Sequence, residues 1–147
     1  MYTILDLDGT ISDDTWRRGR IPSNVEDSKG WDNYHQGLIH DRTINLHMVG
    51  KRNIIITSRP SKFRPQTIEW LQKHNIEFSI LLMRIAGDLR PSWQVKQDAI
   101  EHLREIYEIH NKDIDIAYDD DPDVCAMYKR QGIRCEQVCC ESEKLEL

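Results

Sequence analysis

Short aliphatic runs alternate with longer stretches of helical period along this 147-residue chain. Residues 4–5, 54–56, 80–82 and 114–118 are compact and apolar, the habit of buried parallel strands, and 134–140 is a further candidate. Between them, 66–75 places Ile68, Trp70 and Leu71 on an apolar side, and 93–110 repeats Val95, Ala99, Ile100, Leu103, Ile106 and Tyr107 at helical spacing. A third helix is predicted from Asp121-Pro122, a cap residue followed by proline at the first helical position, to Gly132. Strands alternating with helices predict an α/β fold, a three-layer sandwich around a mostly parallel central sheet. Residues 12–50 break the rhythm: they are long, polar and dotted with Trp16, Trp31 and Tyr34, with short helices expected at 30–39 and 42–49. An insertion after the first strand stands over the carboxyl ends of the strands, where ligands bind in such sheets. The expectation is one domain, 1–147, with 12–50 as a small cap-like insertion after strand 1.

Composition narrows the classes. A net charge of −5 and 31% charged residues argue against a protein that coats nucleic acid through bulk charge, because such binding neutralises many phosphates. A local basic pocket stays open. No stretch approaches the ~20 apolar residues that span a bilayer, and Met1-Tyr2-Thr3-Ile4-Leu5-Asp6 reads as a strand rather than a signal peptide. No membrane association is expected. The cysteines (Cys125, Cys135, Cys139, Cys140) show no CxxC pairing, so reduced cytoplasmic thiols are expected rather than disulfides or zinc. The histidines have no spacing that suggests a transition-metal site, and surface or cap positions are their default.

The strongest chemical signal is Asp6-Leu7-Asp8-Gly9-Thr10 at the end of the first strand. Residues two apart in a strand share a face, so two carboxylates meet at close quarters and call for a cation or a shared proton. A hard ion with oxygen ligands, Mg²⁺, answers that need. Asp119-Asp120-Asp121-Pro122-Asp123 follows the fourth apolar run, placing Asp119 and Asp120 on the same sheet edge, while Asp121 and Asp123 read as helix cap and solvated charge. Thr57-Ser58-Arg59 ends another strand, where a hydroxyl and an arginine can serve a phosphate. Lys96 lies early in the long helical stretch, and by itself reads as surface.

Aspartate pair, hydroxyl, lysine and aspartate pair, in that order, resemble the haloacid dehalogenase (HAD) superfamily of phosphotransferases. Residues 83–91 with Val95-Lys96, Tyr118-Asp119-Asp120 and Ala126-Met127-Tyr128, Gly132-Ile133 and 135–138 further resemble the 3′-phosphatase domain of bacteriophage polynucleotide kinases and related stand-alone phage and bacterial phosphatases. That resemblance implies a HAD-like, Rossmannoid fold and a Mg²⁺-dependent, two-step phosphomonoester hydrolysis. Asp6 would attack phosphorus and form an aspartyl-phosphate. Asp8 would protonate the leaving oxygen and then activate water. Thr57 and Lys96 would hold the phosphoryl oxygens, and the metal would be held by Asp6, the backbone carbonyl of Asp8, and Asp119 or Asp120. Thr10, Arg20, Ser58, Arg59 and Arg84 are implied substrate-binding residues, whereas Arg17 and Arg18 read equally as solvated surface. Ser58 stands where relatives usually have glycine, and Ser92 where they usually carry an aspartate that orients the lysine. Lys96 is therefore expected to pair elsewhere, with Asp120 a candidate.

The substrate implied is the phosphorylated 3′ end of a polynucleotide or nucleotide, in a cytoplasmic setting (the host's, if phage-encoded). No G-x-x-x-x-G-K-[ST] loop occurs, so no kinase site of that type lies within these residues. Two alternatives stand beside this reading. One is a HAD phosphatase of a free nucleotide or other small phosphate ester, which the acidic charge favours. The other is a phosphate-binding module without turnover, which the presence of nucleophile, acid and ligands disfavours. Trp16, Trp31 and Tyr34 can stack on a base or form the core of the small cap, the latter favoured for Trp31.

Overall fold

A computed structural model describes residues 1–139. Its central sheet is built from β1 (Tyr2–Leu5), β4 (Asn53–Pro60), β5 (Ile80–Arg84), β6 (Ile114–Asp119) and β7 (Cys135–Gln137) in the order β5-β4-β1-β6-β7. All four pairings are parallel. The connections carry α2 (Arg64–Lys73), α3 (Ser92–Glu105) and α4 (Pro122–Arg130). Between β1 and β4 lie β2 (Ser12–Asp13), α1 (Ser28–His35) and β3 (Arg42–Thr43), with β2 and β3 forming their own antiparallel ladder.

Alternation along each strand divides the core into two layers. Ile4, Ile54 and Ile56 face one side and pack with Ile100 and Leu103 of α3 and Val124, Met127 and Tyr128 of α4. Leu5 and Ile55 face the other, against Trp70 and Leu71 of α2. Aliphatic strands covered on both faces are what parallel pairing requires. The chain crosses from one side of β1 to the other between β5 and β6, and the switch point lies at the carboxyl end of β1, just before Asp6.

Several local expectations change. The stretch 42–49 is no helix: Arg42–Thr43 is a strand, followed by a 3₁₀ turn at Leu46–Met48. The 30–39 helix becomes α1 plus a separate turn at Leu38–His40, broken at Gly37 with φ 79°. α3 stops at Glu105, leaving Ile106 and Tyr107 exposed rather than on the core face. The last strand is only Cys135–Gln137, and Cys140 lies outside the described residues. Asp121 does cap α4, its carboxylate accepting the Asp123 amide at 2.8 Å.

Candidate active site

The carboxyl ends of β1, β4 and β6 open into a cavity of about 700 Å³, within the range of small-molecule sites. Asp6 and Asp8, Ser58, Lys96, Asp119 and Asp120 line it, with Arg84 and residues 87–92 on one side and α1 on another. Three distant segments therefore converge as the strand-end argument requires.

At the centre is an acidic cluster. One ligand oxygen each from Asp6, Asp119 and Asp120 lie within 4.8 Å of one another. Lys96, buried, donates to Asp6 at 2.9 Å and to Asp119 at 2.6 Å. The lysine thus pairs with Asp119 and not with Asp120 as the sequence suggested. Thr10 donates its hydroxyl to Asp6 at 3.0 Å, fixing that carboxylate rather than lining the cavity. Lys96, together with an Arg18 that Asp120 shares with Asp14, faces the three carboxylates, which leaves excess negative charge. Burial and then the charge of Asp6 push the Asp119 and Asp120 carboxyls well above the usual carboxylate range. For Lys96, the charges of Asp119 and Asp6 outweigh burial and hold the ammonium protonated. A hard divalent cation fits this donor set, because it takes carboxylate oxygens and neutralises the surplus.

Titration of the cluster has a stability consequence with a definite sign. The folded protein keeps protons on Asp119 and Asp120 that the unfolded chain has lost, so metal-free stability falls as pH rises above 3.8, through about 7 for Asp119 and on to about 9 for Asp120. Thermal melts in EDTA across that window should show the decline, and millimolar Mg²⁺ should reverse it at pH 7. Melts that rise steadily to pH 7 in EDTA would contradict the cluster's electrostatics.

Asp8 points away from the cluster. Burial alone would raise its carboxyl, but the guanidiniums of Arg59 and Arg17 hold it well below the usual range. Arg59 donates from Nη2 at 2.8 Å and Arg17 from Nη2 at 2.5 Å. Both arginines are 0% exposed. Arg59 also reaches Ser12 and Thr67, and it does not line the cavity as a phosphate clamp would. Arg17 is further held by Asp41, through Nε at 3.0 Å and Nη2 at 2.6 Å. Asp41 accepts in addition from Ser12 Oγ and Trp16 Nε1, each at 2.7 Å.

In sequence Arg17 reads equally as solvated surface, and no motif surrounds Asp41 or Ser12. The 3₁₀ turn Thr15–Arg20 explains which arginine goes where. Side chains three apart eclipse in such a turn, so Arg17 and Arg20 both lean toward the end of α1. Arg17 donates to the Tyr34 carbonyl at 3.2 Å, while exposed Arg20 serves the carbonyls of Asn33 and Gln36 and stacks over Trp16. Arg20 does not reach the cavity. The guanidinium that does is Arg18, bonded to Asp14 at 2.8 Å and Asp120 at 3.3 Å. Tyr34 donates to Asp14 on its other oxygen.

Of the hydroxyls, Thr57 is buried and accepts the Arg59 amide at 3.1 Å; the one on the cavity wall is Ser58, donating to Ser92 at 2.8 Å. The two departures from the family pattern thus meet each other. Arg84 lies on the wall, its guanidinium bracing the carbonyls of Ser58, Asp88 and Arg90 at 3.0, 2.9 and 2.6 Å. Trp31 also lines the cavity, whereas Trp16 is half exposed outside it.

Gly9 makes the turn out of β1 with φ 81°, and a Cβ there would stand 2.2 Å from Asp120 Oδ2 and 2.6 Å from Arg18 Nη2. Gly9→Ala should lower stability by about 1–3 kcal/mol in a thermal melt and displace Asp120. Unchanged stability would show that the loop relaxes freely.

The model of the polynucleotide kinase PNKP phosphatase domain, a HAD family, matches residues 1–141. The chain belongs to that family. It is a HAD-type phosphatase, and the family match spans the segments that line the cavity. No curated protein matches it. Among solved structures, it is similar to a chain of the Pnkp1/Rnl/Hen1 complex, at 27% identity and a TM-score of 0.69, covering 95% of this chain and 46% of that one. A second structure, of the Pnkp1/Rnl/Hen1 RNA repair complex, gives 26% identity and a TM-score of 0.70, covering 95% and 42%. The chain thus spans less than half the length of these relatives. A hydrolase from Streptococcus pneumoniae TIGR4 shares the fold over 99% of this chain and 98% of its own, at 17% identity and a TM-score of 0.60.

Proposed function

We propose that this PNKP-family phosphatase is a Mg²⁺-dependent phosphomonoesterase that removes a 3′-phosphate from a polynucleotide end through an aspartyl-phosphate on Asp6. The observation that carries the reading is the placement of the Asp6 carboxylate, fixed by Lys96 and Thr10 at a cavity wall beside Asp119 and Asp120. Phosphoryl transfer asks chiefly for positioning and charge neutralisation, which this arrangement supplies.

Asp6, Asp119 and Asp120 would hold the metal, with the Asp8 backbone carbonyl, since the Asp8 side chain is engaged by arginines. The ion would supply charge neutralisation between nucleophile and phosphate. Thr10 orients the Asp6 oxygen, and Lys96 offsets its charge while offering a donor to the phosphoryl group. Ser58 stands on the wall where it can donate to a phosphoryl oxygen, with Thr57 supporting the backbone beneath. Arg18 can meet substrate phosphate, and Arg84 shapes the wall. Asp8, ionised beside Arg59 and Arg17, is in the state needed to activate water in the second step. The proton for the leaving oxygen in the first step would come from a phosphomonoester bound as its monoanion, passed through Asp8, which is left ionised for the second step.

A 3′-phosphorylated oligonucleotide incubated with Mg²⁺ should release inorganic phosphate, and addition of EDTA should stop it. Faster turnover of mononucleotides than of oligonucleotides would move the assignment to small phosphate esters. No release from either, with a folded protein, would sink it.

A further inference from the structure

Ser92 is the one departure from the family pattern that the proposed reaction leaves without a task. It opens α3, and Lys96 stands one turn later on the same helix. Neither Ser58 nor Ser92 is buried, and both line the cavity, so a ligand there can meet them. Their hydroxyl oxygens lie 2.8 Å apart, in a bond that joins the end of β4 to the start of α3.

A hydroxyl rotates and its oxygen both gives and takes, so this bond can run in either direction. When Ser58 donates, its single hydrogen is spent inside the pair. When Ser92 donates, the Ser58 hydrogen is left free for the cavity. Only the second order lets Ser58 donate to a phosphoryl oxygen.

Charge beside the pair chooses between the two. The Arg84 guanidinium braces three backbone carbonyls, and no carboxylate is among its hydrogen-bond partners. Its Nη2 stands 3.5 Å from Ser92 Oγ, at the outer edge of hydrogen-bond reach. A cation at that distance attracts the lone pairs of the Ser92 oxygen and turns its hydrogen away. That hydrogen then faces Ser58, which is the order a phosphoryl oxygen needs. The same arginine donates from Nε to the Ser58 carbonyl at 3.0 Å, so the backbone that carries the hydroxyl is held as well. A chain of donors polarises as it forms, which strengthens its last bond, the one made to the phosphoryl group.

We infer that Ser92 is a positioning residue: its oxygen takes up the charge of Arg84 and its hydrogen goes to Ser58, leaving the Ser58 hydroxyl to donate to the transferring phosphoryl group. The inference rests on the phosphatase reading and deepens it, by assigning the residue that sets the direction of the Ser58 bond. Loss of that orientation is worth roughly a three- to tenfold fall in kcat/KM.

A double-mutant cycle tests this, with p-nitrophenyl phosphate and a 3′-phosphorylated oligonucleotide as substrates in Mg²⁺, either of which carries the cycle alone. Ser92→Ala should lower kcat/KM by that factor. Added to Ser58→Ala, it should cost less than about twofold more, because the group it orients is gone. Alanine suits the first turn of α3, so the melting temperature should stay close to that of the wild type. Ser92→Thr keeps the hydroxyl and should recover most of the loss. Equal losses from Ser92→Ala in both backgrounds, or none in either, overturn the inference and leave the phosphatase reading intact. So does a threonine variant no better than the alanine one. A folded wild-type protein that releases phosphate from neither substrate overturns both.

Discussion

Asp41→Ala is expected to cost about 3–5 kcal/mol of stability, the penalty for leaving buried charge uncompensated. Two fully buried guanidiniums, Arg17 and Arg59, face two carboxylates, Asp8 and Asp41. Removing Asp41 leaves both cations on Asp8 alone and strips the acceptor from Ser12 and from the Trp16 indole. A fall of roughly 10–20 °C in the midpoint of a circular-dichroism melt corresponds to that penalty for a chain of this size. Phosphatase activity should fall with it even at temperatures where the variant is folded, because Arg17 and Asp8 lose their fixed position. Asp41→Asn keeps the shape and one acceptor, so its loss should be smaller. A melt lowered by less than about 1 kcal/mol for the alanine variant would show that water repairs the network.

Asp6→Asn should separate activity from stability. On the aspartyl-phosphate route proposed above, an amide at this position cannot attack, so turnover should fall by about 10⁴-fold or more. Stability without metal should move the other way. The charge of Asp6 is one of the causes that push the Asp119 and Asp120 carboxyls up, so neutralising it relieves repulsion in a buried cluster. An asparagine oxygen can still accept from Lys96 or Thr10. A rise of roughly 1 kcal/mol in EDTA, with the Mg²⁺-dependent gain in melting temperature lost, is the expected pair of results. A variant less stable than wild type in EDTA would mean that the Lys96–Asp6 pair outweighs the repulsion.

The layered α/β frame was legible because its strands are short aliphatic runs with no polar face, and a parallel sheet buried on both sides demands that. The same runs put Asp6, Asp119 and the Thr57-Ser58 pair at one edge, but not which of the two hydroxyls meets the cavity: the family pattern points to Thr57, and Ser58 is the one on the wall. What stayed hidden lies where periodicity carries no information. A two-residue ladder such as Arg42–Thr43 is too short to show alternation, and the six-residue turn Thr15–Arg20 does not announce which arginine is buried. Asp41 has no motif around it; its importance comes from charge balance with Arg17 and Arg59, which only the folded arrangement reveals. The partner of Lys96 was missed for a related reason, since Asp119 and Asp120 are adjacent in sequence and differ only in which side of the strand end they face. Apolar Ile106 and Tyr107 extended the helical pattern beyond α3 although nothing covers them.

Arg17 ties two parts of the molecule that the chain itself keeps apart. One nitrogen grips the backbone of α1 and another grips Asp8. Any lifting of α1 to admit a bulky end must therefore drag that guanidinium or let go of it. Asp8 would still keep Arg59 at 2.8 Å in that event, so the two arginines hold the same carboxylate with unequal freedom: one is tied to the strand β4, the other to the movable wall of the cavity.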